Sequence, residues 1–115
     1  MAKQLIPQLG FFPQFSGAEG SEVSEVNLKE KVKAPFKASR WSVSPGFSSP
    51  VDQHEVKECW FVASGKGVLT FKGDIKGDIQ AGDVIHFDPM ESHQVYNSGE
   101  ELLTIFSIWW EEHEE

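Results

Sequence analysis

Cysteine is nearly missing from this chain, with Cys59 the only one among 115 residues. No internal disulfide can form, so the expected setting is reducing and cytoplasmic. Positive charge is also scarce, ten Lys and Arg against eighteen Asp and Glu, for a formal net charge of −8. That balance argues against nucleic acid or an anionic membrane as partner. Part of the acidity is confined to the closing run Glu111–Glu115, so the body is less acidic than the total suggests. No apolar run approaches the roughly 20 residues that cross a bilayer. The segment Met1–Pro7 lacks the long apolar core of a secretory signal. Helical periodicity, internal repeats and linkers are absent as well.

What is present describes an ordinary globular domain. Hydrophobic residues make up 39% and charged residues 24% of the chain, enough apolar bulk for a single core at this length. Trp and Phe supply much of it, with some left over for an interface. From Ala38 onward short strand-like runs alternate with turn residues. Arg40–Ser44 stops at Pro45-Gly46, and Glu58–Ala63 ends at Ser64-Gly-Lys-Gly67, which reads as a tight hairpin turn. Val68–Phe71, Ile75–Ile79, Val84–Phe87 and His93–Tyr96 follow, separated by Lys72-Gly-Asp74, Ala81-Gly-Asp83 and Asp88-Pro89. The last run, Leu102–Trp110, is apolar at both parities and needs cover on both faces. This is the pattern of an all-β sandwich or barrel.

Residues 1–37 carry less pattern. Pro7, Gly10, Pro13, Gly17 and Gly20 interrupt them too often for a long helix. Leu9, Phe11, Phe12 and Phe15 are too apolar to be left in water. The segment reads as an N-terminal arm packed on its own barrel or on a partner subunit, with an edge strand or one helical turn in Ser24–Val32.

Two histidine segments stand out between Gly46 and Asn97. In an extended strand Asp52, His54 and Glu58 share one parity and can point the same way. Gly46, Asp52, His54, Glu58 and Gly65 form the first set, and Gly82, His93 and Asn97 the second. Two imidazoles and a carboxylate converging on one point are what a divalent metal with open positions requires. A barrel interior without a cation would leave Glu58 charged and unpaired, which is costly.

The spacing resembles the two motifs of the cupin superfamily. The first is Gly, five residues, His-x-His, three or four residues, Glu, six residues, Gly, with Asp52 here at the first histidine. The second is Gly, five residues, Pro-x-Gly, two residues, His, three residues, Asn, with Asp88 and Met90 at its Pro and Gly positions. The resemblance implies an all-β double-stranded β-helix, or jelly-roll barrel, over 38–115, closed by a short acidic tail. It also implies a metal held inside by His54, Glu58 and His93. Asp52 stands at the fourth ligand position with a shorter side chain than imidazole. A shifted site, a water-bridged Asp and an Asp orienting a ligand histidine are the alternatives to direct coordination.

Around these ligands, parity places Trp60 beside Glu58 on the inner face and turns Cys59 and Phe61 outward. Either Arg40 or its neighbour Trp41, which alternate on the strand before the first motif, and His86 are further candidates for the pocket wall, Arg40 because it would suit an anionic substrate. His113 lies in the acidic tail and is expected to be solvated. Glu58 and Asp52 are the candidate catalytic carboxylates, Glu58 acting as a base only where it is not a firm ligand. The implied function is a metal-dependent enzyme acting on a small polar metabolite: a dioxygenase, an isomerase or epimerase, or a lyase. The alternatives are a non-catalytic metal- or metabolite-binding module and a structural dimer with a degenerate site. Fe, Mn, Zn and Ni are not distinguishable from these residues. Apolar surplus on the outer face and the arm points to a homodimer.

Overall fold

Among the described residues eight strands carry the regular structure, and none is helical. They are Ser21–Glu25 (β1), Lys37–Val43 (β2), Lys57–Ser64 (β3), Lys66–Phe71 (β4), Ile75–Gln80 (β5), Val84–Phe87 (β6), His93–Tyr96 (β7) and Leu103–Trp110 (β8). The structure is a computed structural model that describes residues 7–13, 18–29 and 33–111. Phe15, the end of the Ser24–Val32 stretch and His113 with the tail beyond Glu111 lie outside the described residues.

The strands form two antiparallel sheets, ordered β1-β2-β8-β3-β6 and β5-β4-β7. Alternation explains which side chains enter the space between them. On β2, Ser39, Trp41 and Val43 are buried and Arg40 is exposed. On β3, Glu58, Trp60 and Val62 are buried and Phe61 is exposed. Leu103 and Ile105 of β8 come from the middle of the larger sheet, and Val95 of β7 faces them from the smaller one. Trp60 lies at the centre of this core, edge-on to Trp41 and Phe87 with ring centroids 4.8 Å from each. The buried Trp41 Nε1 donates to Ser107 Oγ at 2.7 Å, which satisfies the one polar atom that ring brings inside.

Two local expectations change. The Ser64-Gly-Lys-Gly67 turn does not close a hairpin, because β3 pairs with β6 and β8 whereas β4 pairs with β5 and β7. It is a corner at which the chain leaves one sheet for the other. Gly65 makes it with φ +82°, and a Cβ there would stand 2.8 Å from the Leu102 carbonyl oxygen. The segment read as an arm also contributes β1, an edge strand of the larger sheet. Ahead of β1, Phe12 N donates to Glu25 O and Asn27 N to Gly10 O, each at 2.8 Å. The described part of the arm therefore runs along its own chain, with Phe11 under the Arg40 guanidinium at 4.3 Å.

Candidate metal centre

His54, Glu58 and His93 meet on the inner side of the larger sheet. His54 Nε2 and His93 Nε2 each lie 3.1 Å from the same Glu58 oxygen, Oε1. One ligand atom from each residue falls within 4.8 Å of the others. Shared parity alone does not produce this. Four residues of unbroken strand would set His54 and Glu58 roughly 13 Å apart along the backbone. The chain instead bends at Glu55 and Val56 before β3 begins, folding His54 back over Glu58. The bend is held from the other motif, where Met90 N donates to His54 O at 2.7 Å and Gln53 Nε2 donates to Met90 O at 2.8 Å. Met90 reaches that position with φ +66°, a left-handed backbone more readily taken by glycine.

His93 arrives from β7, with its ring stacked on Phe87 (centroids 4.1 Å apart) and edge-on to Trp60 (5.2 Å). Its Nδ1 lies 3.0 Å from the Glu91 carbonyl oxygen. A carbonyl only accepts, so Nδ1 carries the proton and neutral His93 presents a bare lone pair at Nε2. That nitrogen is buried and lies 3.1 Å from a carboxylate oxygen of Glu58. Two acceptors in this position repel unless a proton or a cation lies between them. Burial pulls the His93 pKa down, but Glu58 and the Glu91 carbonyl outweigh it and the pKa rises above its ordinary value. Burial likewise pushes Glu58 up, yet His93 and then His54 bring its pKa below the ordinary value. His54 Nδ1 is also buried without a partner among the described residues. A set of two imidazoles and one carboxylate, short of positive charge and already convergent, fits a divalent cation.

Asp52 enters by another route. Its N–H donates to His93 O and its carbonyl oxygen accepts from His93 N–H, both at 2.9 Å. Residues paired directly across antiparallel strands present their side chains on one face, so Asp52 shares the His93 side. It lines the same cavity as His54 and Glu58 but is not part of the three-residue cluster. Burial lifts its carboxyl above the ordinary value, with His93 and His54 opposing and Glu58 adding to the rise.

Of the expected wall residues, Trp60 lines the cavity and two do not. Arg40 points outward onto Phe11, because its neighbours Ser39 and Trp41 take the inner face of β2. His86 is exposed, lies 3.0 Å from Asp88 and stacks on Trp110, since Phe87 takes the inner face of β6. Their place is taken by Trp41, Trp109, Val23 and Val56, around a cavity of about 470 Å³. Trp109 pairs across the sheet with Glu58, a neighbour visible only once the β3–β8 register is known. Glu91 was also missed, because it acts through a backbone carbonyl that no side-chain pattern reveals.

The chain belongs to the cupin family: the family's cupin-domain model matches residues 39–109. Solved structures agree. A Cupin 2 conserved barrel domain protein from Salinispora arenicola superposes with a TM-score of 0.75 at 26% identity, covering 96% of this chain and 89% of that one. A predicted oxalate decarboxylase from Thermotoga maritima gives 0.73 at 24% identity, covering 91% and 95%. Bacillus subtilis oxalate decarboxylase, studied for its Mn(II) centres, gives 0.72 at 27% identity over 85% of this chain and 28% of its own.

Proposed function

We propose that this protein is a metal-dependent cupin enzyme in which His54, Glu58 and His93 hold one divalent cation and a small molecule reacts in the adjoining cavity. The observation that carries the reading is the buried His93 Nε2, 3.1 Å from the carboxylate oxygen that His54 also addresses. The Mn(II) centres of the similar Bacillus subtilis protein support a divalent ion. When bound, such a cation supplies Lewis acidity toward a substrate oxygen.

The chain's own groups then divide the work. Glu91 holds His93 in the ligating tautomer through its carbonyl. Glu58, committed between two imidazoles, is a poor base. Asp52 lines the cavity outside the ligand cluster, so it is the carboxylate placed to take a proton from a bound molecule and return it. A single such base suits isomerisation or lyase chemistry.

The test is metal content after purification without an affinity tag or chelator. Close to one equivalent of Mn, Fe, Ni or Zn is the expected result. Metal-free protein that chelation does not destabilise would instead favour a degenerate site. A binding module without turnover is the second reading, favoured by the sharing of Glu58 Oε1 between both histidines. Exchanging Asp52 for Asn separates the two, since it should abolish turnover while leaving ligand binding to a module intact.

A further inference from the structure

The wall of the cavity carries information that the metal cluster does not. Three of the chain's four tryptophans, Trp41, Trp60 and Trp109, line it together with His54, Glu58 and Asp52. Val23, Val56, Pro50 and Ala18 share the rest with Ser21, Ser39 and Ser49, and no Lys or Arg is among the described lining residues. Arg40, the cation that would have suited an anionic substrate, is committed to Phe11 on the outer face. Asp52 also adds a negative charge where the family motif has a neutral imidazole. A divalent ion with Glu58 and Asp52 ionised is already neutral, so a second carboxylate on the ligand would be desolvated without a partner. By contrast, an aromatic body finds flat apolar walls, and about 470 Å³ is room for one or two rings. The buried Trp60 indole N–H lies beside Glu58 and favours its charged form, so the ring wall and the carboxylate of the metal cluster adjoin.

We propose that the cavity takes an aromatic ligand with a single oxygen-donor head, the ring seated among Trp41, Trp60 and Trp109 and the head at His54, Glu58 and His93. This rests on the metal reading for the head but not for the ring. It narrows the expected small polar metabolite to a ring-bearing one and excludes a dianion as the preferred ligand.

The experiment compares three probes on manganese-loaded protein by calorimetry. Benzoate and acetate share one carboxylate head and differ in the ring, whereas terephthalate adds a second carboxylate to the same ring. Burial of a ring should make benzoate at least about tenfold tighter than acetate, with terephthalate weaker than benzoate. Trp109→Ala should bring benzoate down to the level of acetate, and Trp109→Phe should restore most of the difference. Acetate matching benzoate, terephthalate exceeding it, or an unchanged preference in Trp109→Ala would overturn the proposal. The ring site is also read without metal, by titrating chelator-treated protein with phenol and following the indole N–H signals by NMR. Saturable shifts in wild-type protein that weaken in Trp109→Ala uphold the ring site even where no metal loads, an outcome that would sink only the metal reading. Absence of such shifts overturns the ring site itself.

Discussion

His93 and Glu58 face each other as acceptors, and this has opposite consequences for the metal-free and metal-loaded protein. Without metal a proton must fill the gap. Glu58 has its pKa lowered from 4.5, so its contribution to stability is present above that value and is lost as pH falls through the folded-state pKa. His93 has its pKa raised from 6.5, so its contribution is present below 6.5 and is lost as pH rises through the folded-state pKa. The pair therefore stabilises the chelator-treated protein most between these two values, and melting temperature should fall from pH 6 to pH 8. In loaded protein the cation replaces the proton, and melting temperature should hold or rise over the same range. Parallel melts at both pH values check this crossing. Met90 is under local constraint of another kind. Its φ of +66° costs about 1–2 kcal/mol for an L side chain. Part of that is recovered by glycine after its own entropy cost, so Met90→Gly should stabilise the fold by about 0.5–1 kcal/mol in chemical denaturation.

At the scale of elements, the second motif's asparagine shows why the motif has the residues it has. Asn97 is fully buried after β7, and its Nδ2 donates to Val43 O at 2.8 Å and Glu101 O at 2.9 Å. Its Oδ1 accepts from Gly99 N at 2.9 Å. It ties β2, the end of β7 and the approach to β8 together without touching the metal cluster. Asn97→Ala leaves several buried groups without partners, and a loss of about 2–4 kcal/mol by denaturant titration is expected. The strands themselves were legible, because alternation and turn residues are local signals. Val84–Phe87 and His93–Tyr96 match the sequence reading end to end. The Gly65 corner was read as a hairpin because one glycine-rich turn serves either purpose, and only long-range pairing decides. The cluster of His54, Glu58 and His93 was legible from spacing. The bend at Glu55 and Val56 that closes it depends on Met90, in another segment, bonding to both Gln53 and His54, and nothing local announces that. Arg40 and His86 were pocket candidates that local alternation alone could not decide, since Trp41 and Phe87 beside them compete for the inner face and win on apolar area.

Across the whole molecule, apolar surface remains outside. Val84, Phe61 and Phe106 lie side by side across β6, β3 and β8, each at least 40% exposed. A contiguous stripe of this kind is unusual for a monomer, and we propose that a second copy covers it. Light scattering at tens of micromolar should return a dimer, and Phe61→Glu with Phe106→Glu should return a monomer. Inside, one sheet supplies Glu58, the other His93, and the loop between β2 and β3 supplies His54 and Asp52, so the two-layer architecture has a single point of convergence. That convergence is tested most directly by manganese affinity, measured in competition with a chromophoric chelator, for wild type, His54→Ala, His93→Ala and Asp52→Ala. Stoichiometric binding should vanish in both histidine variants. It should persist in Asp52→Ala, weakened about 10–100-fold as for a residue that supports the ligands without being one. Wild-type protein that binds no manganese, or His93→Ala binding as tightly as wild type, would contradict the account. Loss in Asp52→Ala as complete as in His93→Ala would contradict the three-ligand centre.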